Sequence, residues 1–108
     1  MKISHSAMAL AFCALAAPAL THAQTSAQAA LYTRSLAATC ANCHGTDGRA
    51  VAGSSVVSIA GLDKAYIVEQ LKAFKAGTKP ATVMHQLSKG YSDAQIELLA
   101  GYFAAQKK

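Results

Sequence analysis

Cys40-Ala41-Asn42-Cys43-His44 is the stretch on which the reading of this chain turns. Two thiols separated by two residues, with an imidazole directly after the second, form the C-x-x-C-H pattern of c-type haem attachment. The spacing has a physical basis. Near a helix terminus, cysteines at this spacing project toward one side, where each thiol can add to one vinyl group of a porphyrin. His44, next in the chain, then faces the iron from the proximal side. The pattern predicts one haem c held through two thioethers at Cys40 and Cys43, with His44 as an iron ligand.

Other meanings of the pair are weaker. A thioredoxin-like dithiol needs an α/β fold, and the chain offers no convincing strand, Val56-Val57 being too short. Half a zinc site needs a second cysteine pair, and the only other cysteine is Cys13. Chance is the remaining reading, and the surroundings of the motif argue against it.

Those surroundings begin at the N-terminus. Lys2 supplies a positive charge, an uncharged apolar run of 14 residues follows from Ala7 to Leu20, and Thr21-His22-Ala23 offers a small-residue cleavage site before Gln24. This is the layout of a secretory signal peptide. It assigns residues 1–23 to export and 24–108 to the working domain, and it predicts a periplasmic protein. A membrane anchor is the competing reading, but the run is short of the roughly 20 residues a span needs. Phe12 is too large to precede a lipoprotein cleavage site at Cys13.

Cleavage after Ala23 leaves 85 of the 108 residues. A core of that size is marginal and usually needs a staple. Cys13 leaves with the signal, and the remaining pair is too close in sequence to close a long loop, so a disulfide framework is excluded. A covalent cofactor takes the stapling role. The whole chain has ten Lys and Arg against five Asp and Glu; loss of Lys2 leaves nine against five, a net charge of +4. The cations are spread along the chain rather than blocked, which argues against nucleic-acid binding and for an acidic protein partner.

Three helical stretches frame the motif. The first, Ser26 to Thr39, carries Leu31 and Leu36 as a candidate buried stripe and leads into the cysteine pair. The second, Asp63 to Ala76, has Asp63 as N-cap, the stripe Ile67, Val68, Leu71 and Phe74, and Gly77 as its stop. The third, Ser92 to Gln106, opens on a Ser92/Gln95 capping box and buries Ile96, Leu99, Ala100 and Phe103. Lys107 and Lys108 suit the negative end of its dipole. Two long loops, Gly45–Gly61 and Gly77–Tyr91, separate the three. Long loops in a small domain need a reason, and wrapping a large flat cofactor is one. The predicted fold class is all-α, three main helices with long loops around one haem.

Haem iron has a sixth position. Met1 and Met8 lie in the signal, so Met84, in the loop after Pro80, is the methionine left to fill it. Core filling is the ordinary role of a methionine, and His85 is a rival ligand that would give a lower potential than a thioether. Tyr32, Tyr66, Phe74, Tyr91, Tyr102 and Phe103 are expected to pack against one another and the porphyrin.

With Cys40, Cys43, His44 and Met84 in this order, the chain resembles the class I cytochromes c. That family folds as a few helices around one haem, with the first and last helices crossing. Ser58-Ile59-Ala60-Gly61-Leu62 and Lys89-Gly90-Tyr91-Ser92-Asp93, with Met84 between them, resemble the cytochrome subunit of flavocytochrome c sulfide dehydrogenase and the related cytochrome c4 and c553 domains. In those dehydrogenases a flavoprotein subunit oxidises sulfide at FAD, and the cytochrome subunit takes the electrons away singly. The resemblance implies a non-catalytic electron-transfer subunit. Many relatives carry a proline just before the stretch beginning at Ser58, and its carbonyl holds the proximal histidine. Val57 stands there in this chain. The carbonyl is retained, so the bond to His44 is expected to survive on a less rigid loop.

Two other functions compete with the subunit. A free periplasmic shuttle would use Lys72, Lys75, Lys79 and Lys89, which flank the ligand loop, as a docking ring. An open-site haem enzyme or gas sensor would require that Met84 not ligate, and no distal His or Arg set supports it.

Overall fold

The structure, a computed structural model of the chain, describes residues 17–108. Five helices follow in the order α1 (Ala17–Ala38), α2 (Ala41–His44), α3 (Lys64–Ala76), α4 (Met84–Lys89) and α5 (Asp93–Ala104), with a 3-10 turn at Thr46–Gly48. No strand occurs among the described residues. The proposed signal, residues 1–23, falls largely outside the described residues, although its last part, from Ala17, lies in α1.

Capping side chains set the ends of the two longer helices that follow the motif. Asp63 Oδ1 accepts from the Tyr66 amide at 3.0 Å and opens α3. Gly77 closes it in the left-handed region, φ 75°, with its N–H returned to the carbonyls of Ala73 and Phe74. At α5 the Ser92 hydroxyl accepts from the Gln95 amide at 3.2 Å, and the Gln95 side chain accepts from the Ser92 amide at 2.9 Å. This reciprocal pair satisfies donors that a helix start otherwise leaves open. Replacing Ser92 by alanine is expected to cost about 1 kcal/mol. For a domain of this size that lowers the melting temperature by about 4–8 °C, read by circular dichroism on the haem-loaded protein.

The chain divides into two units, Met1–Tyr32 and Thr33–Lys108. In the first, the helical residues 23–32 are exposed. Leu31 is 66% exposed, so it does not join Leu36 in a buried stripe as the sequence reading expected. This stretch is mostly Ala, Gln and Thr, residues that sustain a helix without offering an apolar face.

In the second unit Ala37 of α1, Ile67 of α3, and Leu99, Ala100 and Phe103 of α5 form one buried cluster. The first and last helices thus share a core, and α3 packs against both α4 and α5. All four residues predicted for the apolar face of the last helix are buried. Burying Phe103 alone is worth about 2–3 kcal/mol. Tyr102 meets Phe103 edge to face at 5.2 Å between centroids. Tyr32 and Tyr66, by contrast, are about half exposed and do not belong to this core. Leu36, Cys40, Ile59, Leu62 and Tyr91 are half-buried against the cluster. The attachment motif is therefore built directly onto the core.

The loop expected over Gly77–Tyr91 contains α4. Val83, its N-cap, offers no side-chain hydrogen bond, and the helix is only six residues long. A short helix without a polar cap leaves little trace in a sequence.

Candidate haem-attachment site

Cys40 is the N-cap of α2, and the turn closes on it: the amides of Cys43 and His44 donate to the Cys40 carbonyl at 3.3 and 3.0 Å. A single helical turn thus carries both thiols and the imidazole. Gly45 ends it at φ 79°, where a Cβ would lie 1.9 Å from the Arg49 carbonyl oxygen. Only glycine fits a backbone approach that close. Both thiols are free, Cys40 half-buried and Cys43 exposed.

The His44 ring nitrogen Nδ1 lies 2.7 Å from the Val57 carbonyl oxygen. A carbonyl can only accept, so Nδ1 carries the proton. In neutral imidazole that leaves Nε2 with its lone pair free to bind a metal. The bond expected on a non-proline residue is present.

His85 is arranged differently. Its Nε2 lies 2.5 Å from the Lys79 carbonyl and so carries the proton, while its ring meets Phe74 edge-on at 6.3 Å. This neighbourhood holds His85 as a structural residue and weakens it as an iron ligand. Met84 is the first residue of α4 and is half-buried. It is not among the side chains packed against the buried cluster, as a core-filling methionine would be. The structure gathers Cys40, Cys43 and His44 on one turn and places Met84 on a separate helix.

A network absent from the sequence reading supports Cys40. Thr39 Oγ1 donates to the Leu36 carbonyl at 2.7 Å, which spends its one proton. The Tyr91 hydroxyl, 2.7 Å away, therefore donates to Thr39. Cys40 Sγ is 3.9 Å from the same Thr39 oxygen. Burial pushes the Cys40 thiol pKa up. Lys75 anchors the far end, donating to the Tyr91 carbonyl at 2.8 Å and to Asp93 Oδ1 at 2.9 Å. That ammonium holds the Asp93 carboxyl below its ordinary range. On the other side of the motif Tyr102 donates to Asp47 Oδ1 at 2.5 Å, tying the turn after His44 to α5.

The donor set suits a haem. A porphyrin brings its own equatorial nitrogens and asks the chain for thiols and axial ligands. A surface concavity of about 490 Å³, lined by residues including Asp63, Lys64, Glu69 and Glu97, lies apart from this chemistry. The Lys64–Glu97 ion pair at 2.9 Å sits within it and makes it a charged groove between α3 and α5.

No family model matches the chain. Individual proteins do. It is 42% identical over 73 residues to the cytochrome subunit of sulfide dehydrogenase of Chlorobaculum tepidum, covering 68% of this chain and 64% of that protein. It is 32% identical over 72 residues to cytochrome c-554(548) of Halomonas halodenitrificans, covering 64% of this chain and 86% of that protein. Against cytochrome c4 of Azotobacter vinelandii it is 35% identical over 80 residues, 66% of this chain and 38% of that protein. The chain thus spans just under two thirds of the sulfide dehydrogenase subunit and less than half of cytochrome c4.

Proposed function

The chain belongs to the class I c-type cytochromes, and from that premise we propose that it is the electron-accepting cytochrome subunit of a sulfide dehydrogenase. Cys40 and Cys43 would hold one haem c through thioethers, and His44 and Met84 would ligate its iron. The haem supplies an iron that accepts and releases one electron at a time. The polypeptide holds that iron with the same ligands in both oxidation states, so little reorganises when an electron moves. The observation that supports the site is the Nδ1 bond of His44 to Val57, which leaves the Nε2 lone pair available to a metal.

One feature favours a permanent subunit over a free shuttle. Of the four lysines expected to form a docking ring, Lys75 is engaged with Tyr91 and Asp93, and Lys79 with Gln70 and the Phe74 ring. Fewer free cations suit a lasting interface better than brief, salt-sensitive docking. The partner is a flavoprotein carrying FAD, which oxidises sulfide and delivers electrons to this chain. Residues 1–23 export it to the periplasm. Among the described residues no helix is long and apolar enough to cross a membrane.

Gentle purification of the native protein from the periplasm, with a flavin assay on what co-elutes, tests this reading. A stoichiometric FAD protein that reduces the haem when sulfide is added is the expected result. A lone red monomer without flavin, at low salt as well as high, would make the protein a free electron carrier instead.

A further inference from the structure

The carbonyl of Gly48 receives hydrogen bonds from the Ile59 amide at 2.8 Å, the Ala60 amide at 3.1 Å and the Ser58 hydroxyl at 2.9 Å. Its two lone pairs are therefore fully used. Gly48 is itself pinned. It is buried at φ 79°, its amide donates to the Gly45 carbonyl at 2.9 Å, and a Cβ there would lie 2.7 Å from Ile59 and 2.8 Å from Phe103. This hub joins the turn that follows His44 to the segment that follows Val57. The Ser58 hydroxyl is its one side-chain donor, and Ser58 shares a peptide plane with the Val57 carbonyl.

We propose that Ser58 is a positioning residue for the proximal histidine: its hydroxyl, bound to the Gly48 carbonyl, aims the Val57 carbonyl at His44 Nδ1 and thereby helps set the reduction potential. The inference rests on the reading of His44 as the iron ligand. A firm acceptor on Nδ1–H makes the imidazole a stronger donor through Nε2, which favours ferric iron. A loosened acceptor favours ferrous iron and raises the potential.

The test compares haem-loaded full chains bearing Ser58→Thr and Ser58→Val, which have the same shape and differ by the hydroxyl. The readouts are the equilibrium reduction potential and the hydrogen-exchange rate of His44 Nδ1–H by NMR. Ser58→Thr is expected to match the parent. Ser58→Val is expected to raise the ferrous-to-ferric ratio about threefold at fixed ambient potential, about 30 mV at 59 mV per tenfold, and to speed Nδ1–H exchange several-fold. If Ser58→Val does not load haem, Ser58→Ala against the parent makes the same comparison. A hydroxyl-free variant with the parent's potential and exchange rate overturns the proposal, even if its melting temperature falls, because a purely structural serine would do just that. The parent protein keeps the two readings apart: an iron without a histidine nitrogen ligand there would overturn the ligand assignment itself, before any variant is compared.

Discussion

Replacing Cys40 and Cys43 together by alanine is expected to abolish covalent haem and, with it, the folded state. Denaturing electrophoresis with haem staining should show full signal in the parent and none in the double variant. Far-UV circular dichroism should show most of the helix signal lost. The second effect follows from the size of the core. In the unit from Thr33 to Lys108 the large buried side chains are Ile67, Ile96, Leu99 and Phe103, and the other buried apolar residues are alanines. Small domains with so little to bury depend on a staple, and the two free thiols stand a single turn apart on a helix anchored to that core. A double variant that keeps its helices and a melting transition at the parent's temperature would contradict this account of stability.

Replacing Met84 by leucine separates holding the haem from completing its coordination. Leucine fills a similar volume, so α4 is expected to form as before and the thioethers to be made at the parent's yield. The sixth ligand is lost. The weak far-red band of an iron–thioether pair should vanish from the ferric spectrum, the reduced protein should become responsive to carbon monoxide, and the potential should fall by on the order of 0.1 V. That figure is modest beside the roughly 0.8 V over which axial ligands move haem potentials. The sign follows from the preference of a thioether for ferrous iron. An unchanged spectrum and no response to carbon monoxide would assign the sixth position to another residue. His85 is a poor substitute while its Nε2 proton is committed to the Lys79 carbonyl. A parent protein that already reacts with carbon monoxide would support the open-site enzyme or sensor.

The helices that carry strong local signals were legible in the sequence. Asp63 and Gly77 bound α3, and the Ser92/Gln95 box opens α5, because caps act over a few residues and leave a local pattern. Residues Ile96, Leu99, Ala100 and Phe103 show the helical period and are buried as expected. Leu31 misled, since an apolar residue at helical spacing marks a face only where something covers it. Helix α4 leaves no signal in the sequence, because Val83 offers no capping side chain and its six residues span less than two turns.

The site divides along the same line. The cysteine pair and His44 are contiguous and could be read directly. The Val57 carbonyl entered through family resemblance, because a backbone acceptor has no residue type to betray it. The Gly48 hub and the chain Lys75–Tyr91–Thr39–Cys40 were not legible at all. Tyr91 and Thr39 lie 52 residues apart, and nothing in either neighbourhood announces the other. Their link shows how the last loop reaches back to the attachment turn: a lysine on α3 fixes the Tyr91 backbone, and the Tyr91 hydroxyl fixes the threonine beside the first thiol. The partners of Lys75 and Lys79 are equally illegible, because the fold brings them from elsewhere in the chain.

The central claim is one haem bound covalently at both cysteines, and the mass of a single peptide tests it most directly. Trypsin cuts after Arg34 and Arg49, releasing the segment 35–49 that contains Cys40, Cys43 and His44. From the native protein, that peptide is predicted to carry the mass of one haem, with neither thiol open to alkylation. A peptide at its bare mass with both cysteines alkylated would contradict the account.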